Sequence, residues 1–115
     1  METQCVRVNI RPGSLDAVRE WARTINGRRE EAVATLRNEL VQIESVFLET
    51  AADGNFLIYY MRGFDLAASQ NVAGVSEHPI DAYHQNFMRA HTEGGTVLEL
   101  LVDLDVHPSF ANGRS

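Results

Sequence analysis

Residues 41–62, VQIESVFLETAADGNFLIYYMR, decide the fold because they predict two strands joined by a tight turn. The dipeptide Asp53-Gly54 between two strand-like runs is a strong hairpin signal, since glycine tolerates the backbone angles of such turns. In the second run both alternating sets are apolar or aromatic, which a sheet with one wet face does not need. We therefore expect both faces of strand three to be covered. The two sets are Phe56, Ile58 and Tyr60, and Leu57, Tyr59 and Met61.

The residues before the hairpin predict one strand and a long helical region. Residues 3–10, TQCVRVNI, alternate with apolar side chains on one face and predict strand one. Ser14 is a natural helix N-cap, and apolar residues then recur at helical spacing to about residue 40. Asn26-Gly27 interrupts this pattern, because glycine weakens a helix interior. The sequence leaves open whether the helix is kinked there or split into two.

The residues after the hairpin predict a second helix and a fourth strand. Residues 64–72, FDLAASQNV, read as a short helical patch or turn. Pro79 suits the first turn of the next helix, and Gly94-Gly95 is expected to stop it. Residues 96–106, TVLELLVDLDV, alternate most clearly of all and predict strand four.

The order strand, helix, strand, strand, helix, strand predicts an α+β fold of the ferredoxin-like βαββαβ type, with a four-stranded antiparallel sheet and the helices on one face. We expect one such domain at residues 1–107 and a loosely held tail at 108–115. The other sheet face, apolar in its middle, predicts an interaction surface and a homodimer. The helices are expected to cover Val6, Val8, Ile10, Leu98, Leu100, Val102 and Leu104.

Composition bounds the class of protein. The 115-residue chain is 44% hydrophobic and 23% charged, as a globular domain is. Its formal net charge of -6 argues against a nucleic-acid partner, because a phosphate backbone would be repelled. No run approaches the roughly 20 apolar residues that cross a membrane, and the N-terminus lacks the pattern of a signal peptide. We expect a cytoplasmic protein without a membrane partner.

The segments IESVFLET, LIYYMR and HPIDAYH resemble a group of small uncharacterised bacterial proteins within the dimeric α+β-barrel superfamily. The resemblance spans Met1 to about His107 and implies two sheets facing each other across a two-fold axis, around an interior that often holds a small ligand. The superfamily includes cofactor-free monooxygenases, sugar mutarotases, haem-degrading enzymes and stress-responsive proteins. The resemblance therefore implies one of two functions. The protein either binds or transforms a small organic molecule without a metal, or it is a non-enzymatic dimeric interaction or stress-responsive protein.

The helix that starts near Pro79 carries the candidate catalytic residues. Asp81 precedes His84 by three residues, so the carboxylate could orient the imidazole for acid or base chemistry. His84 and His91 are two turns apart, roughly 10 Å along the helix axis. That spacing suits two contacts with one substrate better than two bonds to one ion, so we predict no metal site.

Further ligand-binding candidates lie on the sheet. Arg7, Tyr59 and Glu99 could complete a polar pocket, with His91 as a secondary contact. An alternative interpretation makes Asp81 and His84 an exposed helix pair, Arg7 and Glu99 a cross-strand ion pair, and the tyrosines part of the dimer interface. No nucleotide or phosphate motif is present in the sequence, and we predict no cofactor.

Overall fold

The computed structural model describes residues 1–69 and 76–106 and has the predicted ferredoxin-like arrangement. Four strands form one antiparallel sheet in the order β2-β3-β1-β4, and the helices pack on one face of it. The elements are β1 (Glu2–Ile10), α1 (Leu15–Gly27), α2 (Arg29–Asn38), β2 (Val41–Ala51), β3 (Gly54–Gly63), α3 (Pro79–His91) and β4 (Thr92–Val97).

The predicted hairpin is β2 and β3. Ala51 pairs with Gly54, so Ala52 and Asp53 form the two-residue loop, and Gly54 opens β3 with a φ of 149°. Such a positive φ is strained for any residue with a Cβ atom, which explains glycine at this position. The hairpin aligns Phe47 with Ile58, and this register fixes which side chains face the helices.

The helical region is split into two helices in tandem. Arg28 separates α1 from α2, and its N–H donates to the carbonyl oxygens of Thr24 and Ile25, both at 3.1 Å. The two helices therefore meet at Arg28, whose N–H and carbonyl oxygen are both hydrogen-bonded. This settles the alternative that the sequence left open at Asn26-Gly27.

The core lies between the helices and one face of the sheet. The sheet contributes alternate residues, because successive side chains of a strand point to opposite faces. Leu57 is only 1% exposed and lies at the centre of this layer. The buried core residues are Val8, Ile10, Val18, Trp21, Leu57, Tyr59 and Phe87.

Strand four differs from the prediction at both ends. Helix α3 ends at His91, and Gly94-Gly95 lies inside β4 instead of ending the helix. Gly94 has a φ of 73°, which favours glycine, and a Cβ on Gly95 would make a tight contact of 3.1 Å with the Arg7 carbonyl oxygen. The strand then stops at Val97, so the prediction of a strand over 96–106 was wrong for residues 98–106.

Residues 98–106, which we call the C-terminal arm, leave the edge of β1 and are not covered by the helices. The Leu98 N–H still donates to the Cys5 carbonyl oxygen at 2.9 Å. On the opposite, open face of the sheet, the Thr3 hydroxyl then donates to Asp103 and the Arg62 guanidinium donates to Asp105. The expectation that helices cover part of this segment was therefore wrong. The exposed residues concerned are Leu98, Leu100, Val102 and Leu104.

Other predictions fall partly outside the described residues. A helical turn occupies 66–69, within the predicted patch at 64–72, while its residues 70–72 are not described. Residue 107 and the predicted tail at 108–115 also lie outside the described residues. In the part of the chain that is described, no helix is long and apolar enough to cross a membrane.

Candidate functional site

A cavity of about 640 Å³ opens between the helices and the sheet, a volume in the range of small-molecule sites. Every layer of the fold contributes a polar or aromatic side chain to its wall. These are Trp21 from α1, Glu39 after α2, Glu44 from β2, Tyr59 from β3, and Asp81 and His84 from α3.

Helical spacing places His84 at the cavity. It follows the buried Ile80 by four residues and precedes the buried Phe87 by three, so it lies on the face of α3 that packs against α1 and the sheet. Trp21 occupies the matching position on α1, three residues after the buried Val18, and is 6% exposed. The two side chains meet because both belong to the buried faces of their helices.

Trp21 holds His84 through a hydrogen bond. The indole Nε1–H donates to His84 Nδ1 at 3.2 Å, and the Trp21 ring stacks on Phe87 with centroids 4.8 Å apart and 10° between planes. The centroid of the Tyr59 ring lies 6.2 Å from that of the His84 ring. Burial lowers the pKa of His84, and the charge of Asp81 opposes this only in part. His84 is accordingly neutral near pH 7.

Three carboxyl groups share the cavity wall. Burial, followed by the charges of Asp81 and Glu44, raises the pKa of Glu39 to about 7. Glu44 keeps an exposed surface at the sheet edge, yet burial on its cavity side and the charge of Asp81 raise its pKa too. Burial also raises the pKa of Tyr59, which stays protonated. Glu39 can therefore gain or release a proton near neutral pH.

Asp81 links this cavity to a second one of about 510 Å³. Glu39 and Asp81 line both spaces, so the two carboxyl groups lie where the spaces adjoin. One oxygen of Asp81, Oδ2, is buried and has no hydrogen-bond partner among the described residues. A buried carboxylate oxygen without a donor is costly, and a bound molecule with an N–H or O–H group would satisfy it.

The structure gathers only some of the sequence-predicted site residues. Tyr59, Asp81 and His84 line the larger cavity. Glu99 is exposed in the C-terminal arm, and His91 lies at the end of α3 with Nδ1 3.0 Å from the Ser14 hydroxyl oxygen.

Arg7 faces the open side of the sheet. It pairs with Glu49 at 3.1 Å and lies over the Phe56 ring, 3.4 Å from its centroid. The alternative of an Arg7 ion pair with Glu99 was therefore wrong, because Glu99 comes after the last paired residue of β4. The open face and the cavity are separate surfaces of the sheet.

Trp21, Glu39 and Glu44 were not predicted as site residues from the sequence. Glu44 carried a signal, since it shares its strand face with the core-facing Val46 and Leu48. Glu39 gave no such signal in the sequence, because its environment depends on residues distant in the sequence, Asp81 of α3 among them. Among residues 1–69 and 76–106, no group of three or more His, Cys, Asp or Glu side chains could hold a metal ion.

Several solved structures are similar to this chain in fold. L-rhamnose mutarotase from Formosa agariphila matches 91% of this chain and 100% of its own, with a TM-score of 0.63 and 14% identity. An antibiotic biosynthesis monooxygenase matches 90% and 100%, with a TM-score of 0.55 and 20% identity. A dimeric protein of unknown function and ferredoxin-like fold from Bacteroides fragilis matches 84% and 91%, with a TM-score of 0.50 and 14% identity. Such low identities establish the fold and leave activity open.

Sequence comparison places the chain more narrowly. No curated protein matches it. Residues 1–109 match a family of unknown function, DUF6176, which covers nearly the whole chain and all the cavity residues described above. The chain therefore belongs to the DUF6176 family.

Proposed function

We propose that this protein is a homodimer that binds a small uncharged organic molecule in the larger cavity and transforms it by proton transfer between its own side chains and the molecule. The observation that carries the proposal is the raised pKa of Glu39, about 7, in a cavity that it shares with Asp81 and His84. Proton transfer is most efficient when the pKa of the acid or base lies near the working pH.

The charge of the cavity argues for an uncharged substrate. Glu39, Glu44 and Asp81 line it, whereas Arg29 is the one cationic side chain in its described wall and His84 is neutral. An anionic molecule would meet repulsion in a partly enclosed site, where screening by water and salt is weaker. The aromatic rings of Trp21 and Tyr59 offer apolar faces to the carbon skeleton of such a molecule.

Mutarotase-like chemistry fits these groups best. Opening a cyclic hemiacetal requires one base to take the proton of the anomeric hydroxyl group and one acid to give a proton to the ring oxygen as its bond to the anomeric carbon breaks. Ring closure returns both protons, so the enzyme is unchanged and no oxidant is consumed. A fold shared with an L-rhamnose mutarotase supports testing neutral aldoses first.

A second copy of the chain would cover the exposed apolar surface. Phe47 on the open face is 60% exposed, and Leu101 and Leu104 of the C-terminal arm are 80% and 88% exposed. Large apolar patches on a protein surface mark interfaces, and these exposed side chains supply apolar area for one. The ferredoxin-like relative from Bacteroides fragilis is described as dimeric, which supports the same state here.

The same apolar surface favours a second candidate, a dimeric interaction protein without catalysis. In that case Glu39 and His84 would serve stability only, and no small molecule would depend on them. The two proposed functions differ in whether binding of a small molecule depends on the cavity residues. A binding assay can therefore distinguish them.

Thermal unfolding of the full-length protein with matched sugar pairs tests the proposal, because a ligand that binds only the folded state raises its Tm. L-rhamnose and D-galactose should raise the Tm, and the anion D-galacturonate should do so less. Glu39→Gln and His84→Gln should each reduce the increase. Glu30→Gln, on an exposed face of α2, is the matched control and should keep it. No increase with any compound, or the same increase in all variants, would favour the interaction protein.

A further inference from the structure

The hydrogen bond between Trp21 and His84 determines which ring nitrogen of His84 carries the proton. An indole N–H can only donate, so Nδ1 of His84 must present its lone pair to accept the bond at 3.2 Å. A neutral imidazole that accepts at Nδ1 carries its proton on Nε2. The direction of this hydrogen bond therefore selects one tautomer of His84.

The packing of Trp21 keeps the indole from turning away from His84. Trp21 is buried, is the only tryptophan of the chain, and stacks nearly parallel on Phe87. Turning the indole away from His84 would break this stack and move a large side chain out of a close-packed core. The donor is thus held in place before any molecule enters the cavity.

The surroundings of His84 favour the neutral form of its imidazole. Asp81 lies on the same helix, Glu44 on β2, Tyr59 on β3 and Trp21 on α1. Burial outweighs the attraction of Asp81 and lowers the pKa of His84. Protonating Nδ1 would also set two N–H groups against each other and cost the hydrogen bond to Trp21.

We propose that Trp21 is a positioning residue that holds His84 as the neutral tautomer protonated on Nε2, so that the imidazole acts in the cavity as a hydrogen-bond donor and not as the base. The part that concerns a bound molecule rests on the proposed function. The molecule would present an acceptor oxygen, of a carbonyl, ether or hydroxyl group, to His84. The carboxyl groups of the same cavity, Glu39 foremost, then accept the proton.

Long-range proton–nitrogen NMR on uniformly ¹⁵N-labelled full-length protein tests the tautomer. Each ring nitrogen of a histidine has a shift that depends on whether it carries a proton, and His84→Gln assigns the signals. The wild type should show a protonated Nε2 and an unprotonated Nδ1 at pH 7. A protonated Nδ1 would overturn the inference.

Trp21→Phe tests the positioning role, because it keeps an aromatic ring and removes the N–H. The variant should show a mixture of tautomers and a higher pKa of His84, since the lost bond favoured the neutral form. Tyr83→Phe, on the same helix, leaves both the indole N–H and the stack on Phe87 in place and should retain the wild-type tautomer. If Trp21→Phe has the nitrogen pattern and pKa of the wild type, Trp21 does not position His84.

A second variant keeps the inference testable if Trp21→Phe does not fold. In His84→Ala the indole N–H of Trp21 loses its acceptor, so its proton should exchange with water faster and its signal should move. An unchanged Trp21 signal would overturn the inference.

Adding L-rhamnose as the probe separates the two proposals. A molecule that accepts a hydrogen bond from the Nε2–H group of His84 should shift the Nε2 signals and leave Nδ1 unprotonated. The expected tautomer without any response to neutral aldoses would count against the proposed function and still support the assignment of Trp21 and His84.

Discussion

The titration of Glu39 should make the stability of the folded protein fall as the pH rises from about 4.5 to about 7. Burial, with the charges of Asp81 and Glu44, raises its pKa from 4.5 to about 7. The folded state therefore holds a proton that the unfolded chain releases at lower pH. The contribution is fully present below about 4.5, shrinks between 4.5 and 7, and is lost above 7.

The size of the effect follows from the pKa change. One pKa unit corresponds to about 1.4 kcal/mol, so the full change has an upper limit of about 3.4 kcal/mol. Glu39 is only half-buried, and water screens its charge, so we expect about 1–2 kcal/mol. Glu39→Gln, which cannot ionise, should be more stable than the wild type by that amount at pH 8 and about equal to it at pH 4.

Urea unfolding of the two proteins at a fixed concentration, in steps of pH between 4 and 9, measures this difference. Glu30→Gln is the matched control, because its carboxyl group is exposed on α2, and it should follow the wild-type curve within about 0.5 kcal/mol. A wild type and a Glu39→Gln variant whose difference stays constant over this pH range would refute the environment assigned to Glu39.

The remaining predictions concern the interface and the sheet. Leu101→Asp or Ile58→Asp should shift the protein from dimer to monomer in sedimentation at micromolar concentration, or unfold it, because a charge on the proposed interface is desolvated. Ala34→Asp, on the exposed face of α2, is the control. A well-folded wild-type monomer would contradict the interface. Gly63→Ala should lose about 1–3 kcal/mol of unfolding free energy in urea, because its Cβ would lie 2.9 Å from the Leu40 carbonyl oxygen and from Leu66 Cδ2. Gly27→Ala, which meets nothing within 4 Å, should not be destabilised, and equal losses in both glycine variants would contradict the close approach.

The sequence predicted the elements that depend on local patterns. The Asp53-Gly54 signal and the alternation on both sides of it gave the hairpin, and the element order gave the ferredoxin-like fold. It misplaced strand four because a glycine pair that usually ends a helix lies here inside β4, where Gly94 has a positive φ and Gly95 lies close to the backbone of β1. Residues 98–106 alternate like a strand but leave the sheet, and alternation alone does not say which partner a strand has.

Within the candidate site, the sequence best predicted the pair of residues that one helix places together. Asp81 and His84 are three residues apart on one helix, and both line the cavity. The bond from Trp21 joins residues 63 positions apart. The pKa of Glu39 is raised first by burial and then by the charge of Asp81, which lies on a helix distant in the sequence. Arg7 bonds Glu49 across the sheet for the same reason, since tertiary register, not local spacing, selects its partner.

Proton transfer in the cavity is tested by the rate of anomer exchange in neutral aldoses, L-rhamnose first, which proton NMR measures at equilibrium without a change in composition. Catalytic amounts of the wild-type protein should accelerate the exchange, and the acceleration should change with pH around the pKa of Glu39, about 7. Glu39→Gln should lose the acceleration, while Glu30→Gln should keep it. Exchange of every neutral aldose at the buffer rate, or acceleration that survives Glu39→Gln unchanged, would contradict proton transfer in this cavity.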